Sequence, residues 1–259
     1  MTMHHRSIPR ATATSSPPPR WTRFAAPARF DALAATIARW CWVIAVVAGV
    51  AGLYVGFVVA PTDATQGEVY RILYLHVPAA WLSMLCYLAI AFWAVVGWVM
   101  KVRMASRLAR ALAPSGALYT ALALWTGALW GQPTWGTWWV WDARLTSELI
   151  LLLLYLGYIA LVESIDDDRR AAQAGALLAM VGALNVPVIY FSVRWWNTLH
   201  QGASISLDSA PRMAQTMLLA LGLMTLALWA HAIAAALTRA RALSWEQEPE
   251  ALAGARAAR

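Results

Sequence analysis

Charge is what this chain has least of. Only 13% of its 259 residues are Asp, Glu, Lys or Arg, and 61% are hydrophobic, whereas a water-soluble domain carries about a quarter charged residues. A soluble core could not hide so much apolar surface, so the natural solvent is a membrane. Cysteine is almost missing. Cys41 and Cys86 both lie in apolar runs and form no C-x-x-C pair, which leaves thiol–disulfide chemistry without support and reads both as buried free thiols. No G-x-x-x-x-G-K-[ST] occurs, so hydrolysis of ATP at a P-loop is excluded. No Ser-His-Asp arrangement stands out. The alternation of a membrane barrel is absent. The net charge of +7 comes without a folded basic domain, and nucleic acid is not an expected partner.

What is present is a set of long apolar runs. A spanning helix needs about 20 mostly apolar residues, and backbone groups in lipid must pair within their own segment. Six runs meet or approach that length, at 40–60, 77–100, 111–131, 147–163, 174–193 and 213–236. The fold class expected is all-α integral membrane, a six-transmembrane-helix bundle with a Trp-rich periplasmic segment. The first run is longer than the roughly 7–15 residues of a signal-peptide core, so it reads as a retained span. Residues 1–38 read as a flexible basic cytoplasmic tail, 39–238 as the membrane domain and 239–259 as a C-terminal cytoplasmic tail. Asn185 and Pro187 should kink the fifth helix, while Glu148 and Glu163 should snorkel from the ends of the fourth. Arginine and lysine crowd one side: Arg20, Arg23, Arg29 and Arg39, then Lys101, Arg103, Arg107 and Arg110, then Arg169, Arg170, Arg239 and Arg241. The other side holds only Arg71, Arg144, Arg194 and Arg212. The positive-inside rule therefore puts both termini in the cytoplasm.

That orientation leaves 61–76, 131–147 and 194–212 outside. The second of these belongs to a run, Trp125 to Asp142, that holds six tryptophans and ends on a carboxylate. Read as a short surface helix over 135–142, it would put Trp135, Trp138, Trp139 and Asp142 on one face, with Trp141 on the flank. Gly131, Pro133 and Gly136 would turn the chain out of the third helix. Dispersed tryptophans would read as an interfacial belt; four within seven residues read better as a platform for something large, flat and apolar. His76, just before Val77-Pro78, should sit at the outer rim because proline is tolerated in a first helical turn. His200 lies in the outer loop after the fifth helix, whereas His231 lies near the inner end of the sixth. A haem iron accepts one imidazole on each side of its ring, so His76 and His200 are candidate axial ligands above an indole surface. Without a C-x-x-C-H sequence the haem would not be attached covalently. Outer arginines suit propionates, though interface anchoring explains them equally well. Asp142 could orient a ligand, cap a turn or pair with Arg144.

The segment WGTWWVWDARLTSELILLLLYLGY resembles the signature of the cytochrome c assembly superfamily of haem-handling proteins, and within it the haem exporter protein C (CcmC) family. RILYLHVPAAW at 71–81 and VPVIYFSVRWWNTLHQGAS at 186–204 look like that family's two histidine segments. Larger relatives, the haem lyases, typically read Trp-Asp-Pro-Glu after the tryptophans; this chain reads Trp141-Asp142-Ala143-Arg144 and lacks their additional helices. The resemblance implies a bacterial inner-membrane protein that is not an enzyme. It would hold haem b at the periplasmic face and load it onto a periplasmic haem chaperone, CcmE, for c-type cytochrome biogenesis. The implied partners are the ABC-type subunits CcmA and CcmB and a small membrane subunit, CcmD. His76 and His200 become the axial ligands; Trp135, Trp138, Trp139, Trp141 and Asp142 become the platform. Arg194 stands where some relatives have an acidic residue, so no propionate contact carries over there. The alternatives are a haem lyase, which needs further histidines within the membrane, a cytochrome b-type subunit, which needs paired histidines at mid-bilayer, and a structural subunit whose tryptophans form a belt and bind nothing.

Overall fold

The computed structural model describes residues 27–200, 213–250 and 252–253. Apart from one isolated bridge between Asp63 and Gly67, the regular structure among them is helical, as a chain solvated by hydrocarbon requires. Seven α-helices follow in order: α1 Pro27–Tyr54, α2 Leu73–Met100, α3 Arg103–Trp135, α4 Ala143–Glu163, α5 Asp168–Ala183, α6 Asn185–Trp195 and α7 Gln215–Gln247. Among the described residues five helical stretches are long and apolar enough to cross a membrane: Ala28–Val59, Glu68–Met100, Ala143–Glu163, Asp168–Trp195 and Gln215–Gln247. The long α3 is not among these five. Pro114, Ser115, Gly116, Tyr119, Thr120 and Thr126 lower its apolar character, and most of them are buried against the other helices.

Helix bounds depart from the expected runs in instructive ways. α1 begins at Pro27, inside the segment read as tail, and its last turn widens into a π-type turn over Val55–Val59. Arg71 closes that end: its guanidinium donates to the carbonyls of Gly56 and Ala60 and pairs with Glu68. α2 also starts early, at Leu73, because a 3-10 turn over Glu68–Ile72 feeds into it. Pro78 therefore lies in the second turn of α2 rather than its first, forgoing only a bond to the Tyr74 carbonyl. The expected kink is present. α5 stops at Ala183 and α6 starts at Asn185, since Pro187 cannot donate back to the Ala183 carbonyl; Asn185 Nδ2 reaches across to the Ser147 carbonyl, 2.8 Å away. α7 continues through 239–247, residues read as tail, because Arg107 holds Gln247 and Glu248 at 2.7 and 2.6 Å and Arg241 holds Asp31 at 2.9 Å.

α2 stands at the centre, touching α3, α5 and α7, while α1 packs mainly along α7. Tyrosine rings set the spacing of the core. Tyr74, Tyr87, Tyr119 and Tyr155 are among the largest fully buried side chains, and small residues receive them. A Cβ at Gly116 would fall inside the Tyr155 ring, and one at Gly182 would strike the Tyr87 hydroxyl. This is small-residue packing between membrane helices, where close backbone approach replaces the hydrophobic drive. Cys86 is buried and Cys41 partly buried, both as free thiols. Gly116→Ala should therefore destabilise the bundle by about 1–3 kcal/mol through overpacking, read as a lower melting temperature in detergent. Gly157→Ala, where a Cβ meets open space, should not destabilise it, since alanine is the better helix former.

Candidate functional site

The two histidines singled out by sequence meet. The ring centroids of His76 and His200 lie 6.2 Å apart, with the planes inclined at 34°. His76 is the fourth residue of α2, about one turn inside the helix and not just before its start; His200 lies in the segment after α6. Trp130 meets the His76 ring edge-on at 5.7 Å, and Trp135 lies 6.1 Å from His200. Together they line a cavity of about 70 Å³, with Arg144 and Glu148 on its α4 wall. His231 belongs elsewhere, held by the Tyr119 hydroxyl at 2.6 Å and by the edge of Trp42. His4 and His5, the residues following His200 in its motif and Arg212 lie outside the described residues.

Hydrogen bonding fixes which nitrogen of His76 is available. Thr126 Oγ1 gives its one proton to the Leu122 carbonyl at 2.6 Å, the back-bond usual for a helical threonine. Toward His76 Nδ1, 3.1 Å away, the same oxygen must then accept. The proton sits on Nδ1 and the lone pair on Nε2, the arrangement of a metal-ligating imidazole.

The tryptophan segment corrects the expectation of a surface helix over 135–142. α3 runs on through Gly131 and Pro133 to Trp135, and Gly136 ends it in the left-handed conformation (φ 77°), its N–H bonding the Gln132 carbonyl at 2.9 Å. Residues 137–142 are irregular, too short between a helix stop and a helix cap to nucleate a turn of their own. Trp135, Trp138, Trp139 and Asp142 thus share no helical face. Trp135 turns into the cavity. Trp138 and Trp141 are exposed, at 57% and 77%, and Trp141 meets Trp139 edge-on at 5.3 Å. Trp139 Nε1 is buried and has no hydrogen-bond partner among the described residues.

Asp142 is a cap. Its Oδ1 accepts from the Leu145 N–H at 2.8 Å, the standard closure of a helix N-terminus. Its Oδ2 accepts from the Thr198 hydroxyl, whose oxygen in turn accepts the His200 N–H at 3.0 Å. One carboxylate thus starts α4 and ties down the segment carrying His200. Arg144 does not pair with Asp142; it donates to the Ile189 carbonyl of α6 at 2.8 Å. Glu148 corrects a second expectation. It does not snorkel but is buried, accepting from Ser83 Oγ at 2.7 Å, because α4 begins before it and turns its side chain inward. Thr126, Trp130, Thr198 and Glu148 were not among the expected site residues. The i,i+4 pairing of Arg144 with Glu148 was the one signal able to flag the last.

Asp142→Ala should cost α4 about 1 kcal/mol of cap and release Thr198. Amide hydrogen exchange should speed up at residues 143–146 and 196–200 and nowhere else; unchanged exchange at 196–200 would contradict the tether.

Residues 20–254 match the family described as heme exporter protein C, CcmC. Among curated relatives, heme exporter protein C of Escherichia coli (strain K12) is 48% identical over 193 residues, 73% of this chain and 79% of the relative. That of Bradyrhizobium diazoefficiens is 46% identical over 201 residues, 78% and 76% of the two chains, and that of Paracoccus denitrificans 41% over 192, 74% and 79%. A match across nearly the whole membrane region, carried by relatives of similar extent, makes this chain a member of the heme exporter protein C family.

Proposed function

We propose that this protein takes up haem b where His76 and His200 meet and hands it to the haem chaperone CcmE for c-type cytochrome biogenesis. The carrying observation is the histidine pair, 6.2 Å apart, in a chain whose relatives are named heme exporters. An iron bonded to both imidazoles at about 2 Å would hold the ring centres roughly 6 Å apart. His76 offers Nε2, since Thr126 occupies Nδ1. The porphyrin itself needs several hundred Å³ against a cavity of about 70 Å³. The site must therefore open, as it would if the short His200 segment swung outward about its Thr198–Asp142 tether. Arg144 on the cavity wall suits a propionate, and the buried Trp139 N–H offers a donor to an incoming acceptor.

In this reading α3 is the sixth span, the termini are cytoplasmic by the arginine bias, and the histidine end faces the periplasm of the bacterial inner membrane. Trp138 and Trp141, exposed beside the cavity end, form the surface that meets CcmE. The handover is a ligand exchange. A chaperone histidine takes one axial position as His200 leaves. Energy comes from the ABC-type subunits CcmA and CcmB, with CcmD completing the complex, because this chain has no P-loop.

His76→Ala and His200→Ala should each abolish the six-coordinate low-spin spectrum of the haem-loaded protein and block transfer to CcmE. Spectra unchanged in both would overturn the ligand assignment. Thr126→Val, which removes the acceptor that orients His76, should weaken haem binding by about 10–100-fold without altering helicity. Wild-type affinity in that variant would show that the Nδ1 contact is not used.

A further inference from the structure

A second cavity lies at the other end of the bundle, where α2 ends and α3 and α5 begin. It is far larger than the histidine cavity, about 670 Å³, and along α2 the nearest lining residues of the two, Ala80 and Ala94, are separated by about 21 Å of helix. Five cationic side chains line it: Lys101, Arg103, Arg107, Arg110 and Arg169. The carboxylates that answer them among the described residues are two. Asp168 meets Arg110 at 3.4 Å, and Glu248 takes Arg107 at 2.6 Å and Arg103 at 3.4 Å. The nearby Asp167 is engaged as the cap of α5, accepting the Arg170 N–H at 2.7 Å. Lys101 and Arg169 have no ion-pair partner among the described residues. A pit with surplus positive charge and two uncommitted cations is complementary to a phosphate.

The walls say what carries the phosphate. Ala94 and Gly97 of α2 and Ala172 of α5 keep the space open where these helices come together. On the outer side Trp98, Val99 and Met100 are exposed, the last two at 68% and 50%. A soluble anion has no use for that apolar flank, whereas an amphiphile does. Acyl chains would lie along α2 with the headgroup turned into the pit, Trp98 sitting at the headgroup level as interfacial indoles do. We propose that this cavity binds the phosphate headgroup of an anionic phospholipid.

The test uses the full chain, purified into phosphatidylcholine nanodiscs, with phosphatidylglycerol binding measured by titration and native mass spectrometry. Lys101→Gln with Arg169→Gln removes two cations that hold no ion pair among the described residues, so the bundle should melt as before while phosphatidylglycerol affinity falls about tenfold or more. Arg29→Gln with Arg39→Gln removes the same charge from exposed positions on α1 and should leave tight binding intact. An equal loss in both double variants would reduce the effect to general surface charge and overturn the site, as would full retention in the cavity variant. Inorganic phosphate competing as strongly as phosphatidylglycerol would overturn the lipid assignment. So would phosphatidylglycerol binding that appears only when the ATPase partner is added, since the surface would then be a protein interface.

Discussion

A polar group buried among membrane helices has no water to turn to, and its partner must come from the protein. That constraint organises this molecule. It makes every span helical, and it gives most interior polar side chains a partner: Ser83 for Glu148, Thr126 for His76, the Ile189 carbonyl for Arg144, the Leu228 carbonyl for Tyr119. The consequence for function is orientation. A histidine in water would rotate freely; His76, one turn inside α2 with Thr126 beside it, presents a fixed nitrogen to a fixed place. His200, on an irregular segment, is held by a longer route through Thr198 and Asp142. One histidine is thus built into a helix and the other is tethered, an asymmetry that suits the proposed handover.

The two ends of the bundle divide the work by composition. The end with the histidines gathers tryptophan, and it spends its few arginines singly, Arg71 on closing α1 and Arg144 on bridging α4 to α6. The opposite end gathers arginine and lysine and uses them partly to bind α7 to α3 and to α1. The charge bias that orients a membrane chain during insertion therefore also ties its helices together once inserted.

Much of this was legible in the sequence. The helical runs, the interruption before Pro187, the free thiols and the company kept by His76 and His200 follow from hydropathy, proline chemistry and spacing. The helix ends were less readable. α1 and α7 overrun their apolar stretches because Asp31, Arg107 and Arg241 make ion pairs between residues distant in sequence, and hydropathy does not register such pairs. The tryptophan segment misled because its i, i+3, i+4 spacing imitates a helix face. The glycine at 136 and the aspartate at 142, a stop and a start, were the stronger signals, and they leave an irregular link. Glu148 was misread because the start of α4 decides whether a carboxylate near a helix end points out or in. Thr126 and Thr198 carry no sequence signature at all, and their roles exist only through what lies across the bundle.

In the proposed complex both imidazoles grip the iron of one porphyrin. Pulsed electron paramagnetic resonance on the ferric haem complex, prepared with 15N-labelled histidine in an otherwise unlabelled chain, reads it directly. Two strongly coupled axial histidine nitrogens are predicted. A single coupled histidine nitrogen, or none, would contradict the account.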